Sequence, residues 1–381
     1  MKRIAWKATD TGTLSIHGIL SVPKEGCLRF AKIRALSVIL QSARSRARSV
    51  VPRRALRRVI ALLAVSSLVF AVAGCHVPGT SSASALPPGE KLTVAVVPGI
   101  DTVPLAVAVK NGLFGQQGLG VSVQDYPTLL AAYNALVDGK ADVAVGDYTS
   151  FFYAIAKLKA HLKLIMDGYD AAAGTMQVLA LPSSGINSPK DLAGKVIGTP
   201  AAEVAPYSQT FPYSIDTLAT QSVLQSDGVN TSAISWTQVP ENQMISELRD
   251  HQVSAILATE PLIIEAETQL GAQEVLDSCS GVSANLPLSG YFSTTPFARQ
   301  HAAALQAFRT ALITAQSQSA QRSNVQSVLQ GEHMASLYTD LANIGQYPTF
   351  LNVGQVQRVA DLMNDSGMIT APVTVQSLVF K

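Results

Sequence analysis

Ala141-Asp-Val-Ala-Val-Gly-Asp-Tyr-Thr-Ser150 decides how the rest of the chain is read. Small and β-branched residues run to Gly146, and Asp147 then stands where a helix N-cap belongs, ahead of the helical run Phe151-Phe-Tyr-Ala-Ile-Ala-Lys-Leu158. A buried strand that delivers a carboxylate to a helix start reads as half of a ligand cleft. In open α/β sheets, ligands sit beyond the carboxyl ends of strands, close to free helix N–H groups. A second copy is visible: Leu136-Val-Asp-Gly-Lys-Ala-Asp-Val-Ala-Val-Gly-Asp147 can be laid against Leu248-Arg-Asp-His-Gln-Val-Ser-Ala-Ile-Leu-Ala-Thr259, with Glu260-Pro261 directly after. Two such units suggest two similar lobes facing one another; the alternative is a chance likeness between two βαβ units.

Working outward, Leu92–Val97 reads as a strand, Val103–Asn111 as a helix closed by Gly112, Val121–Asp125 as a strand and Thr128–Val137 as a helix. Leu162–Met166 and Met176–Leu181 continue the alternation, which means parallel βαβ units. Pro182-Ser-Ser-Gly185 breaks the rhythm, and a fresh unit starts at Ser188. The fold class expected is α/β with two lobes, each a mostly parallel sheet flanked by helices. Residues 91–181 and 288–381 form one lobe and 182–287 the other, with crossings near 181–186 and 286–292 acting as a hinge. The amphipathic segments Ala302–Gln318, Val325–Gln330 and Val353–Asn364 are expected to cover the first lobe.

Charge is unevenly placed. Of 28 Lys/Arg and 26 Asp/Glu, residues 1–58 hold 14 basic side chains but only Asp10 and Glu25, so the remainder carries 14 basic against 24 acidic residues. An acidic body of this kind excludes nucleic acid as a partner, which needs a basic face. Val59–Ala73 is an apolar run behind Arg53-Arg54 and Arg57-Arg58, too short for a membrane span of roughly 20 residues and ending in Gly74-Cys75. Val72-Ala-Gly-Cys75 resembles a bacterial lipobox. Residues 1–74 are thus expected to be a basic segment and lipoprotein signal, Cys75 the lipidated residue, and the Ser/Pro/Gly stretch through residue 90 a tether to the outer face of the cell membrane. The alternative is an uncleaved anchor. The long basic segment suggests translation starting nearer Val50 or Val51. Cys279 is then the one cysteine left in the body, where it reads as a small buried hydrophobe.

Three blocks carry a resemblance. Ala108-Val-Lys-Asn-Gly-Leu-Phe-Gly-Gln-Gln-Gly-Leu-Gly-Val121, Ser188-Pro-Lys-Asp-Leu-Ala-Gly-Lys-Val-Ile-Gly198 and Ser254-Ala-Ile-Leu-Ala-Thr-Glu-Pro261 are similar to blocks, in the same order, of the substrate-binding proteins of ABC importers serving nitrate, sulfonates, taurine and the pyrimidine precursor of thiamine. Ser254 departs from the Asp usual there. The resemblance implies a periplasmic-binding-protein-like (type II) fold, closing by hinge motion over a small-molecule ligand and docking on an ABC permease, with a monomer expected. A sensor lipoprotein and an enzyme like the one that builds the thiamine pyrimidine are the alternatives.

Strand-end positions give the expected contacts: Gly99, Ile100, Asp101 and Thr102; Asp147 and Tyr148; Tyr169 and Asp170 from the first lobe; Thr199, Glu203 and Tyr207, then Thr259 and Glu260, from the second. Asp147 also reads as a helix cap, and Glu260 before Pro261 as a structural residue. These loops hold five carboxylates and neither Arg nor Lys, which points to a neutral or cationic nitrogen-bearing ligand; an anion held by backbone N–H groups is the alternative. No spacing resembles a metal site or a phosphate loop, and no histidine falls at these loops, so no metal, cofactor or catalytic residue is expected.

Overall fold

The computed structural model describes residues 89–200, 214–331 and 342–381. The Cys75 signal, the tether before residue 89, and Glu203 and Tyr207 lie outside the described residues. Strand β1 (Lys91–Val96) leads into helix α1 (Val103–Lys110), and β2 (Gly120–Asp125) into α2 (Leu129–Val137), whose N-cap Thr128 accepts from Ala131 N. The deciding stretch is β3 (Val143–Asp147) followed without a linker by α3 (Tyr148–Lys157), then β4 (Leu162–Asp170). Gly146 is required at that join, since a Cβ there would sit 2.3 Å from Leu129 Cδ1 and 2.8 Å from Phe151 Cε2.

The chain continues through β5 (Met176–Ala180), β6 (Val196–Pro200), α4 (Ile215–Ser226), β7 (Ser235–Val239), α5 (Glu241–Arg249), β8 (Ala255–Thr259), α6 (Leu262–Leu270) and β9 (Gln273–Asp277). Strand β10 (Pro287–Thr294) returns, followed by α7 (Ala302–Ser319), α8 (Arg322–Gly331) and α9 (Val353–Asp365). Among the described residues no helix is long and apolar enough to cross a membrane.

Among the described residues ten strands form two sheets of five, in the orders β2-β1-β3-β10-β4 and β7-β6-β8-β5-β9. In each sheet four strands run one way and a single strand, β10 or β5, runs antiparallel to both its neighbours, with β3 and β8 at equivalent places. The internal likeness of 136–147 to 248–259 is therefore a likeness of topology as well. Both strands are buried over their apolar residues, as expected for strands covered on both faces.

The crossing expected near 181–186 is elsewhere. Strand β5 pairs with β8 and β9, so the chain passes between sheets at 171–175 and returns at 278–286. Pro182-Ser-Ser-Gly185 is a short 3₁₀ turn on the second lobe and not a linker between lobes. The reason is that β5 runs antiparallel to β8, a pairing that local sequence does not encode. The two passages are tied together by Ala171 N donating to Leu286 O at 2.9 Å and Ser278 N to Met176 O at 2.9 Å. A third segment joins them: Gln346 exchanges backbone hydrogen bonds with Asp170, both 2.9 Å.

One core lies where α3 and α9 pack together. Phe151 stacks on Phe292 with centroids 4.1 Å apart, and Phe152 and Tyr148 meet the same ring at their edges. A second core holds α1, α7 and α8 against the opposite face of the first sheet, and a third packs α5 and α6 on the second sheet. Helix α9 also touches α4, and Arg358 donates to Val282 O, so this helix spans both lobes instead of covering the first alone.

Candidate functional site

The strand ends of the two sheets face a cavity of about 360 Å³. From the first sheet come Ile100 and Asp101 after β1, Leu129 at the start of α2, Asp147 at the end of β3, Thr149, Ser150 and Tyr153 on α3, Tyr169 on β4, and Leu288 and Ser289 on β10. From the second come Pro200 at the end of β6, Ser214, Ile215 and Asp216 at the start of α4, and Thr259 at the end of β8 with Glu260 after it. Thr175 of the crossing, Asn343 and Met368 complete the wall. Four carboxyl groups line this space, and among the described lining residues there is no Lys, Arg or His. Ala201–Tyr213, outside the described residues, adds none in sequence.

Asp147 caps α3. Its Oδ1 accepts from Ser150 N at 2.7 Å and from the Thr149 hydroxyl, and its Oδ2 accepts from Ser150 Oγ at 2.7 Å. The carboxylate is thus largely occupied by its own helix. Asp101 is hydrogen-bonded by Ser289 and by the backbone of Asp101 and Thr102, and Asp216 by Ser214, but burial outweighs these bonds at both. Burial raises Asp101 to about 6, with the charge of Asp147 adding to it, and burial raises Asp216 to about 7, again reinforced by Asp147. Glu260 is also raised by burial; its Oε1 accepts from Asn343 N at 2.9 Å while its Oε2 is buried with no hydrogen-bond partner among the described residues.

Residues 85–331 match the family model of the NMT1-like family. The chain belongs to the NMT1-like family. A search among curated proteins gave no match. Among solved structures, this NMT1-like chain is similar to the periplasmic aliphatic sulphonate-binding protein of Escherichia coli, at 17% identity over 76% of this chain and 97% of the other, TM-score 0.61. It is similar to the periplasmic nitrate-binding protein of Synechocystis PCC 6803, at 13% identity over 77% and 87%, TM-score 0.61. It is also similar to a desulfurization enzyme, at 14% identity over 76% and 96%, TM-score 0.59. These likenesses carry the fold, which is the two-lobed periplasmic-binding-protein architecture.

Of the positions expected from the NMT1-like sequence, Ile100, Asp101, Asp147, Tyr169, Thr259 and Glu260 come together on the cavity wall. Others do not reach it. Tyr148 is fully buried in the aromatic core and donates to Asp167 Oδ1 at 2.7 Å, because the first turn of α3 points it inward beside Phe152. Gly99 and Thr102 hold each other, Gly99 N donating to Thr102 Oγ1 at 3.1 Å and the hydroxyl donating to Gly99 O at 2.8 Å. Asp170 is engaged through its backbone with Gln346, and Thr199 is buried within β6 beside the lining Pro200. His161, His251 and His301 lie away from the cavity, and among the described residues no group of three or more His, Cys, Asp or Glu is placed to hold a metal. Cys279 is buried with Thr175 Oγ1 3.3 Å away, its thiol pushed up to about 12 by burial.

Asp216 and Ser289 were not singled out from the sequence. Ser214-Ile-Asp-Thr217 carries a usable signal, since a Ser N-cap accepting from Thr217 N places Asp216 in the first helical turn. Asn343 and Met368 have no local signal; the fold brings them to the wall from far along the chain.

Proposed function

We propose that this chain is the extracytoplasmic solute-binding component of an ABC importer, holding a small cationic or neutral nitrogen-bearing ligand between its lobes. The observation that carries the reading is the cavity itself: about 360 Å³ at facing strand ends, with carboxyl groups from both sheets and no basic side chain among its described lining residues. A cation entering there gains from every one of those carboxyls, whereas an anion meets like charge. Tyr153, Tyr169, Leu129 and Met368 supply flat and apolar surface for the body of such a ligand.

The two passages between sheets, at 171–175 and 278–286, serve as the hinge, and closure over the ligand creates the surface that an inner-membrane permease reads. Cys75 is proposed as the lipid attachment that keeps the protein at the outer face of the membrane, with the stretch through residue 90 as the tether. The fold similarity to sulphonate- and nitrate-binding periplasmic proteins supports the importer role.

That same similarity favours a second reading, an anion bound by helix N-termini. The first turns of α3 and α4 do face the cavity. Against it, Ser150 N and Thr217 N already donate to the caps Asp147 and Ser214.

Native mass spectrometry of the gently purified chain identifies what it carries, and thermal-shift screening extends the search, since a ligand bound only by the folded state raises the midpoint. A bound amine, amidine or aminopyrimidine is the expected result. A tight sulfonate or nitrate complex, with cationic heterocycles failing to bind, rejects the cation reading in favour of the anion; turnover of a candidate solute by the purified protein rejects the carrier role.

A further inference from the structure

Asp101 and Asp216 enter one cavity from opposite sheets, the first beyond β1 and the second in the first turn of α4. Asp147 lies close enough to both for its charge to act on each. The other titratable groups acting on Asp101 or feeling its charge are Tyr169, Tyr291 and Tyr347; those around Asp216 are Glu241 and Cys279. None is a cation. Three carboxyls in one partly buried space, without a counter-ion among the described lining residues, do not all ionise readily together, because like charges and lost hydration both favour the neutral form. Asp147 takes three donors from its own helix start, whereas at Asp101 and Asp216 burial outweighs the hydrogen bonds they receive. Asp101 and Asp216 therefore hold protons below about pH 6 when the cavity contains only solvent.

The wall also presents hydrogen-bonding groups. Ser289 is only 4% exposed and lines the cavity, where its hydroxyl hydrogen-bonds the Asp101 side chain. Glu260 Oε2, on the opposite side, is buried without a hydrogen-bond partner among the described residues. A buried polar atom without a partner costs stability unless something else pairs with it, so this atom marks where a ligand's donor belongs.

We propose that Asp101 and Asp216 exchange protons for the ligand: each gives its proton to solvent as a cation enters, so capture strengthens as pH rises and loosens as it falls. The inference rests on the cation reading of the cavity. In charge terms, one positive ligand group replaces a proton at each carboxyl it contacts, and the buffer takes up the released proton. Acidification outside the cell then acts as a brake on capture. The values of about 6 and about 7 put the change in the pH range that an exported protein meets.

The test uses the full chain with benzamidine and phenethylamine, probes that keep their positive charge from about pH 5.5 to about pH 8. Calorimetric titration is run at both ends of that range and, near pH 6, in two buffers of different ionisation enthalpy. Affinity is expected to rise about 30-fold over the range if Asp216 alone exchanges its proton, and roughly 100-fold if both carboxyls do, with about one proton released per cation near pH 6. Asp216→Asn should flatten the pH dependence to the few-fold change left by Asp101; a merely structural role would lower the unfolding midpoint and leave the slope intact. Carboxyl-carbon NMR of the ligand-free chain reads the same groups directly, and both should still be protonated near pH 5. Equal affinity across the range without proton release, or both carboxyls titrating near 4, overturns the exchange while leaving the cation reading in place. Failure of either probe to bind near pH 8, with taurine or nitrate binding instead or nothing binding at all, overturns both.

Discussion

The backbone N–H of Asn343 donates to Glu260 Oε1 at 2.9 Å, and this single bond joins the end of the second sheet to a segment paired with the first. Glu260 follows β8, whereas Asn343 lies just ahead of Gly345, whose N–H donates to Tyr169 Oη at 2.6 Å, and Gln346, which pairs with Asp170. The two lobes are thus linked by two residues of the cavity wall as well as through the passages between the sheets.

Glu260 separates two effects cleanly. Glu260→Gln keeps the acceptor for Asn343 and removes the charge, so unfolding stability in urea should stay within about 0.5 kcal/mol of wild type while cation affinity falls. Glu260→Ala loses the acceptor too and should cost about 1 kcal/mol. Equal stability of the two variants would show that the Asn343 bond contributes nothing.

Asp147 is expected to act first as a helix cap. Asp147→Ala should lower stability by about 1–2 kcal/mol, and Asp147→Ser should recover most of it by restoring an acceptor for Ser150 N. Thermal unfolding of the pair checks this; a serine variant as unstable as the alanine one would mean that the carboxylate's charge, and not its capping oxygen, matters to the fold.

The empty protein should lose stability as pH rises through neutrality. Asp101 and Asp216 have folded-state values raised to about 6 and about 7 from an ordinary 3.8. Their neutral forms favour the fold: the contribution is fully present below about pH 4 and is lost as pH climbs through 6 to 7. Asp216→Asn, neutral at every pH, should match wild type near pH 4 and exceed it by about 4 kcal/mol near pH 8 in the absence of ligand. Chemical denaturation at the two pH values decides; a difference independent of pH sinks the assignment.

Gly146→Ala tests how tightly β3 is joined to α3. The added methyl would lie 2.3 Å from Leu129 Cδ1, forcing that side chain or the strand to shift at a cost of about 1–3 kcal/mol. Leu129 also lines the cavity, so ligand binding should weaken together with stability. A variant as stable as wild type would mean that α2 has room to move away from the strand.

Local chemistry carried much of this into view. The helix start at Asp147 was readable because a strand of small apolar residues, a glycine and an acidic cap are all neighbours in the chain. Helix α6 begins and ends where its residues place it, at Leu262 and Leu270, the latter followed by Gly271 in a left-handed conformation. Tyr148 was not readable in the same way. Whether the first residue of a helix faces a cleft or a core depends on what packs behind it, here Phe152, Phe292 and Asp167.

By itself, the sequence determined that two similar α/β units exist, which strand ends carry acidic residues, and that the body is acidic, since composition, hydrophobic period and capping act over a few residues. Tertiary structure alone decided that β5 belongs to the second sheet, that Asp216, Ser289 and Asn343 join the cavity wall, and that Tyr148 and Thr199 do not reach it. Strand pairing and burial are agreements between segments far apart in the chain, and no local pattern states which partner a segment will find.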